Sequence, residues 1–128
     1  MSANSGRGYQ KNPEHRVETK RAGVRVQVIF NGEVIADSED AIQLEESGYA
    51  PVFYLPRRDV KMELLSRTTH RTHCPFKGDA SYFTLSNGRT SENAAWGYEQ
   101  PYDEVSVIKE RLAFYPDRVD SITVSAGL

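Results

Sequence analysis

Two Asn-Gly dipeptides, Asn31-Gly32 and Asn87-Gly88, constrain this chain more than any other feature. Both central residues of a type I′ turn need positive φ, which asparagine and glycine tolerate, and that turn joins neighbouring antiparallel strands. The flanking residues agree. Val24, Val26 and Val28 alternate with Arg25 and Gln27, the period of a half-buried strand, and 33–37 returns as its partner. Residues 82–86 lead into the second dipeptide and 89–96 lead away from it. Further short strands are expected at 41–45, 51–55, 68–74 and 121–125.

Two short helices are expected among these strands. Asp59 is placed to cap one over about 59–65, with Val60 and Leu64 on a shared face. The other covers 103–115, where Val105, Ile108, Leu112 and Tyr115 recur at helical spacing before Pro116 stops it. The fold class is therefore mainly β (α+β), as small antiparallel sheets or an open barrel carrying two short helices. A length of 128 residues fits one domain. Residues 1–14 hold few apolar side chains and read as a mostly disordered tail, so the domain is expected at 15–128.

Charge excludes some partners. A net charge of −2 argues against a nucleic-acid surface, which would be clearly basic. A single cysteine permits no internal disulfide and suits a reducing compartment. With no long apolar run and no signal-peptide core, the expectation is a soluble cytoplasmic protein that does not engage membranes. The charge is unevenly spread, however. Residues 33–48 hold six acids and no base, whereas 57–77 hold six Lys/Arg and two acids. A homodimer that lays the basic segment of one copy on the acidic stretch of another follows as an expectation.

The chemistry concentrates in residues 69–79, which contain the lone Cys74, His70, His73, Lys77 and Asp79. Pro75 followed by Gly78 is turn chemistry, which makes Cys74 and Lys77 the first and fourth residues of one β-turn, with Cα atoms within roughly 7 Å. An ammonium beside a thiol favours the nucleophilic thiolate, so Cys74 and Lys77 are the candidate catalytic pair. A metal centre is not expected. In an extended strand His70 and Cys74 stand about 13 Å apart at ~3.3 Å per residue, and neither CxxC nor HExxH is present. No phosphate-cradling glycine motif occurs either, so no cofactor is expected. Tyr54, Tyr82, Trp96 and Tyr98 lie on or beside predicted strands and are candidates for an aromatic ligand pocket, with His15, His73 and Arg57 as polar contacts.

Four stretches carry a family resemblance: residues 52–60 (VFYLPRRDV), 72–82 (THCPFKGDASY), 92–98 (ENAAWGY) and 112–119 (LAFYPDRV). In order and spacing they resemble the bacterial and fungal family called domain of unknown function 427 (DUF427), with Asn12-Pro13-Glu14-His15 similar to its lead-in. The resemblance covers about residues 12–120. It implies a small β-tent-like fold, an architecture shared with methionine-R-sulfoxide reductases, the glutathione-dependent formaldehyde-activating group and the thalidomide-binding domain of cereblon. The paired CxxC zinc ligands of many such proteins are missing from this chain. So is a convincing Asp-x-Asp pair for the nucleotidyltransferase activity sometimes attached to the family.

Two readings stand side by side. In one, a small enzyme works on a small molecule through Cys74, served by Lys77. In the other, the same aromatic pocket holds a ligand without turning it over and Cys74 only packs, or the domain meets another protein.

Overall fold

The valine alternation folds as its period requires. The structure is a computed structural model and describes residues 4–126. After a single helical turn, α1 (Gly8–Lys11), ten strands follow: β1 (Val17–Arg21), β2 (Val24–Phe30), β3 (Glu33–Ser38), β4 (Ile42–Glu46), β5 (Val52–Tyr54), β6 (Leu65–Cys74), β7 (Gly78–Ser86), β8 (Thr90–Tyr98), β9 (Ala113–Phe114) and β10 (Ser121–Ala126). Along β2, Val26, Val28 and Phe30 are buried while Arg25 stays exposed. The strands form three antiparallel sheets in the orders β1-β4-β5, β10-β2-β3 and β6-β7-β8-β9, none closed into a barrel. Among the described residues no helix is long and apolar enough to cross a membrane.

Both Asn-Gly dipeptides sit at hairpin tips, with different turns. Phe30 pairs with Glu33, and Asn31 and Gly32 take φ of 51° and 76°, as a type I′ turn demands. At the second tip Ser86 pairs with Thr90, which leaves a three-residue loop, Asn87 to Arg89, with only Gly88 at positive φ. Asn87 is drawn away from the two-residue geometry because its side-chain amide donates to the Phe30 carbonyl, 2.9 Å, and to Glu33. The two hairpin tips are thereby tied together.

The expected helices are shorter than their apolar spacing implies. Over 59–65 there are two 3₁₀ turns, Arg57–Asp59 and Met62–Leu64, in place of a continuous helix. Backbone demand explains this. Val60 bridges Ala36, and the Lys61 N–H donates to the Ile35 carbonyl at 2.9 Å, so the segment serves as a partial strand against β3. Asp59 accepts a bond from the Ser38 hydroxyl at 2.7 Å and makes no helix cap. Over 103–115 only Asp103–Ile108 is helical, as 3₁₀ with a kink at Val105, and Glu110 turns the chain at φ 61°. Leu112 then exchanges two backbone hydrogen bonds with Leu55, 2.8 and 2.9 Å, and the Tyr115 N–H reaches the Ala94 carbonyl. Val105, Ile108 and Leu112 are all fully buried, as the spacing predicted, but not from one helix face. A buried side chain of this size contributes roughly 1.5–3 kcal/mol, so the chain keeps the burial and gives up the helix.

Two apolar clusters result. One joins β2 and β3 to β7, β8 and β9 through Val28, Phe30, Ile35, Leu85 and Phe114. The other lies beneath β4 and β5, where Tyr54, Tyr82, Tyr98, Val105 and Ile108 meet. Gly97 lets β8 pass close to the 109–112 segment, since a Cβ there would stand 2.3 Å from the Arg111 carbonyl oxygen.

Candidate functional site

The turn predicted from Pro75 and Gly78 forms. The Lys77 N–H donates to the Cys74 carbonyl at 3.2 Å, and Cys74 pairs with Gly78 across the β6–β7 connection. Cys74 is half-buried. Lys77 turns to a different partner from the one expected: its ammonium lies 2.8 Å from Glu46 Oε1, and both side chains are largely buried. Glu46 Oε2 takes His15 Nε2 at 2.8 Å. Burial pushes the Glu46 carboxyl up, but the bonds from Lys77 and His15 outweigh it and hold the group below its ordinary value. The cation assigned from the sequence to the thiol is therefore shared with a carboxylate that β4 supplies.

Residues 4–15 lie over this turn. The Gly8 N–H donates to the Pro75 carbonyl at 3.0 Å, and the Tyr9 hydroxyl donates to the Phe76 carbonyl at 2.8 Å. Tyr9 meets the Phe76 ring edge-on at 5.2 Å, and His15 lies over the same ring at 4.4 Å. Gly8 is required here, because a Cβ would come within 2.8 Å of the Phe76 ring. Burial, followed by the charges of Glu104, Cys74 and Glu46, pushes the Tyr9 phenol up to about 12.

The four predicted pocket aromatics do come together, but mostly as core. Tyr54, Tyr82 and Tyr98 are buried, and only Trp96 is half-buried. Trp96 meets Tyr54 edge-on at 6.2 Å and lies 4.3 Å from Tyr115, a residue the helical reading hid. The Tyr82 hydroxyl bonds Thr72 Oγ1 at 2.9 Å and accepts from Tyr115 at 3.4 Å. The Tyr54 hydroxyl is buried without a hydrogen-bond partner. The Trp96 indole lies close enough to ease it electrostatically yet makes no well-formed bond, and burial raises the Tyr54 phenol well above its ordinary range. Burial raises Tyr98 in the same way, with smaller contributions from Tyr54 and Cys74.

An open concavity of about 460 Å³ begins where these aromatics reach the surface. Trp96 and Tyr115 form part of its wall, Val26 and Val28 of β2 and Ile122 of β10 another, and Phe53 of β5 a third. Among the described residues no charged one lines it. The size falls within the range of small-molecule sites, which are mostly apolar concavities. Cys74 and Lys77 are not among its lining residues, so the single aromatic pocket expected at the Cys74 turn is divided between an apolar groove and a charged turn.

The remaining candidates lie elsewhere. Arg57 donates through Nε to the Glu110 carbonyl at 2.7 Å and sits over the Phe83 ring at 5.5 Å. Its Nη2 is buried with no hydrogen-bond partner, 3.8 Å from Glu99. His73 binds Asp79 at 2.7 Å, whereas His70 packs on Tyr82 at 4.5 Å, so the two histidines diverge. Among the described residues no three His, Cys, Asp or Glu side chains gather to hold a metal ion. Glu46 is the residue that sequence reasoning missed at the turn. It sits in the acidic 33–48 stretch; the pairing of β1 with β4 brings His15 to it, and Lys77 reaches it from the β6–β7 connection.

A family model described as domain of unknown function (DUF427) matches residues 18–125 of the chain. No curated protein matches it.

Proposed function

Because the chain belongs to the DUF427 family, whose description names no reaction, we propose from its geometry that it is a binding domain for a small, uncharged, largely apolar molecule held in the groove beside Trp96. The lining of that groove carries the reading: a concavity of about 460 Å³ with four aromatic side chains and, among the described residues, no charged one. Such a surface gains by excluding water and offers nothing to a charged ligand. Half-buried Trp96, packed 4.3 Å from Tyr115, supplies the ring surface on which a flat ligand stacks, while Arg118 lies over the Tyr115 ring at 4.7 Å.

Binding, as opposed to turnover, is favoured by the state of the charged turn. Lys77 is engaged by Glu46 at 2.8 Å, so the group that would serve Cys74 as a cation is already paired. Cys74 then acts as a packing residue at the end of β6.

Trp96 is the chain's only tryptophan and lines the groove, so its fluorescence responds to what occupies the groove. Titrating a panel of uncharged aromatic fragments should shift and quench that emission saturably for some members. Phe53→Ala, checked for retained fold by circular dichroism, should weaken the response. A panel that leaves the emission unchanged while fragments bind elsewhere on the protein would remove this reading.

A further inference from the structure

The sheet edges of this chain are unequally protected. Unpaired edges invite other strands, and proteins blunt them with charge, proline, bulges or cover. The outer edge of β3 is covered by Val60 and Lys61. β1 carries Glu18, Lys20 and Arg21, and β6 carries Arg67 and Arg71. β5 is three residues long, with Pro51 before it and Pro56 soon after, and β9 is only two residues long. β10 has none of these devices. Its six residues, Ser-Ile-Thr-Val-Ser-Ala, hold no charge and no proline, and they pair with β2 without a register break. It ends the order β10-β2-β3, and among the described residues no further backbone hydrogen bond ties its outer side. Val124 on this strand is 48% exposed.

We propose that β10 pairs antiparallel with β10 of a second copy of this chain, joining two three-stranded sheets into one of six strands across a two-fold axis. Self-pairing suits this strand because its copy brings no like charges opposite one another, the usual penalty in such a pair. The alternative contact expected from the charge distribution is partly spent within one chain. The basic segment already pairs with the acidic stretch inside one chain, through Lys61–Glu33 and Lys77–Glu46 at 2.8 Å each and through Arg58–Asp40.

The groove restricts the register. Ile122 and Val124 line it, and directly opposed residues in an antiparallel pair project to the same face. Placing Thr123 or Val124 opposite itself keeps those side chains of both copies on the groove side, whereas a one-residue slip turns one copy over. An interface built on one short strand falls below the roughly 1,600 Å² of standard complexes, so the dimer is a concentration-dependent one.

Sedimentation equilibrium of the full chain over the micromolar range tests this. The weight-average mass should climb from one chain towards two. Thr123→Lys, at an exposed position, should weaken the dimer by about tenfold through the edge charge, and Thr123→Ser should leave it intact. If Thr123→Lys fails to fold, Ser125→Lys, also exposed, makes the same test. A wild-type chain that stays monomeric at the highest concentration overturns the proposal and leaves the edge to an extended peptide from another protein. A dimer indifferent to both lysine substitutions overturns it as well, because the contact then lies on another surface.

Discussion

The charged turn and the apolar groove draw on one aromatic cluster but are built in opposite ways. At the turn the charged side chains meet partners inside the chain: Lys77 and His15 meet Glu46, His73 meets Asp79, and the Phe76 carbonyl accepts from Tyr9. At the groove, Trp96 borders open space and no charged residue is among the described lining residues, the nearest cation, Arg118, being held over the Tyr115 ring at 4.7 Å. Dense local chemistry therefore marks the region whose interactions are satisfied internally, and the unsatisfied surface lies where the sequence shows only scattered valines and aromatics.

The largest expected effect strikes both regions at once. Ile108 is fully buried in the cluster that holds Tyr54 and Tyr98. Ile108→Ala should destabilise the protein by about 2–5 kcal/mol in chemical denaturation, with Trp96 emission shifting even in the residual folded state. An effect confined to one region would break the picture of a shared cluster.

A smaller effect should separate the two regions. Lys77→Met leaves the Glu46 carboxylate largely buried with only His15 against it, a loss of about 1–3 kcal/mol. Fragment response at Trp96 should persist. The pH dependence carries a sign. Because the folded Glu46 carboxyl lies below its ordinary value of 4.5, its contribution is complete above that value and is lost as pH falls towards the folded one. Urea denaturation across the acid range should show this loss in the wild type and a smaller one in Lys77→Met. An unchanged acid limb would show that the Glu46–Lys77 pair does not govern it.

The smallest effect has the opposite direction. The Tyr54 hydroxyl is buried without a partner, and an unsatisfied buried hydroxyl costs about 1–3 kcal/mol. Tyr54→Phe should therefore leave stability unchanged or raise the melting temperature slightly. A clear destabilisation would mean that the hydroxyl has a partner and that the boundary between turn and groove is misplaced.

Legibility followed the range of the interactions. Asn31-Gly32 and the Pro75–Gly78 turn were readable because their conformations are set within four residues. The 103–115 helix was misread because spacing reports burial and does not identify which backbone groups neighbouring strands will claim, here those of Leu112 and Tyr115. Glu46 could not be assigned to Lys77 because the two meet only where the β6–β7 turn packs beside β4. The groove was least legible of all, since Val26, Phe53, Trp96, Tyr115 and Ile122 come from separate stretches and none of them carries a motif. The charge segregation was real in the sequence, and the fold spends it on intrachain pairs such as Lys61–Glu33.

The central claim is that the ligand surface is the groove and that the Cys74 turn is structural. Backbone and indole NMR shift mapping with a binding uncharged aromatic fragment tests it most directly. The account predicts perturbations concentrated at Val26, Phe53, the Trp96 indole, Tyr115 and Ile122. Perturbations concentrated at His15, Glu46 and Cys74 to Gly78, with the groove residues unmoved, would contradict it.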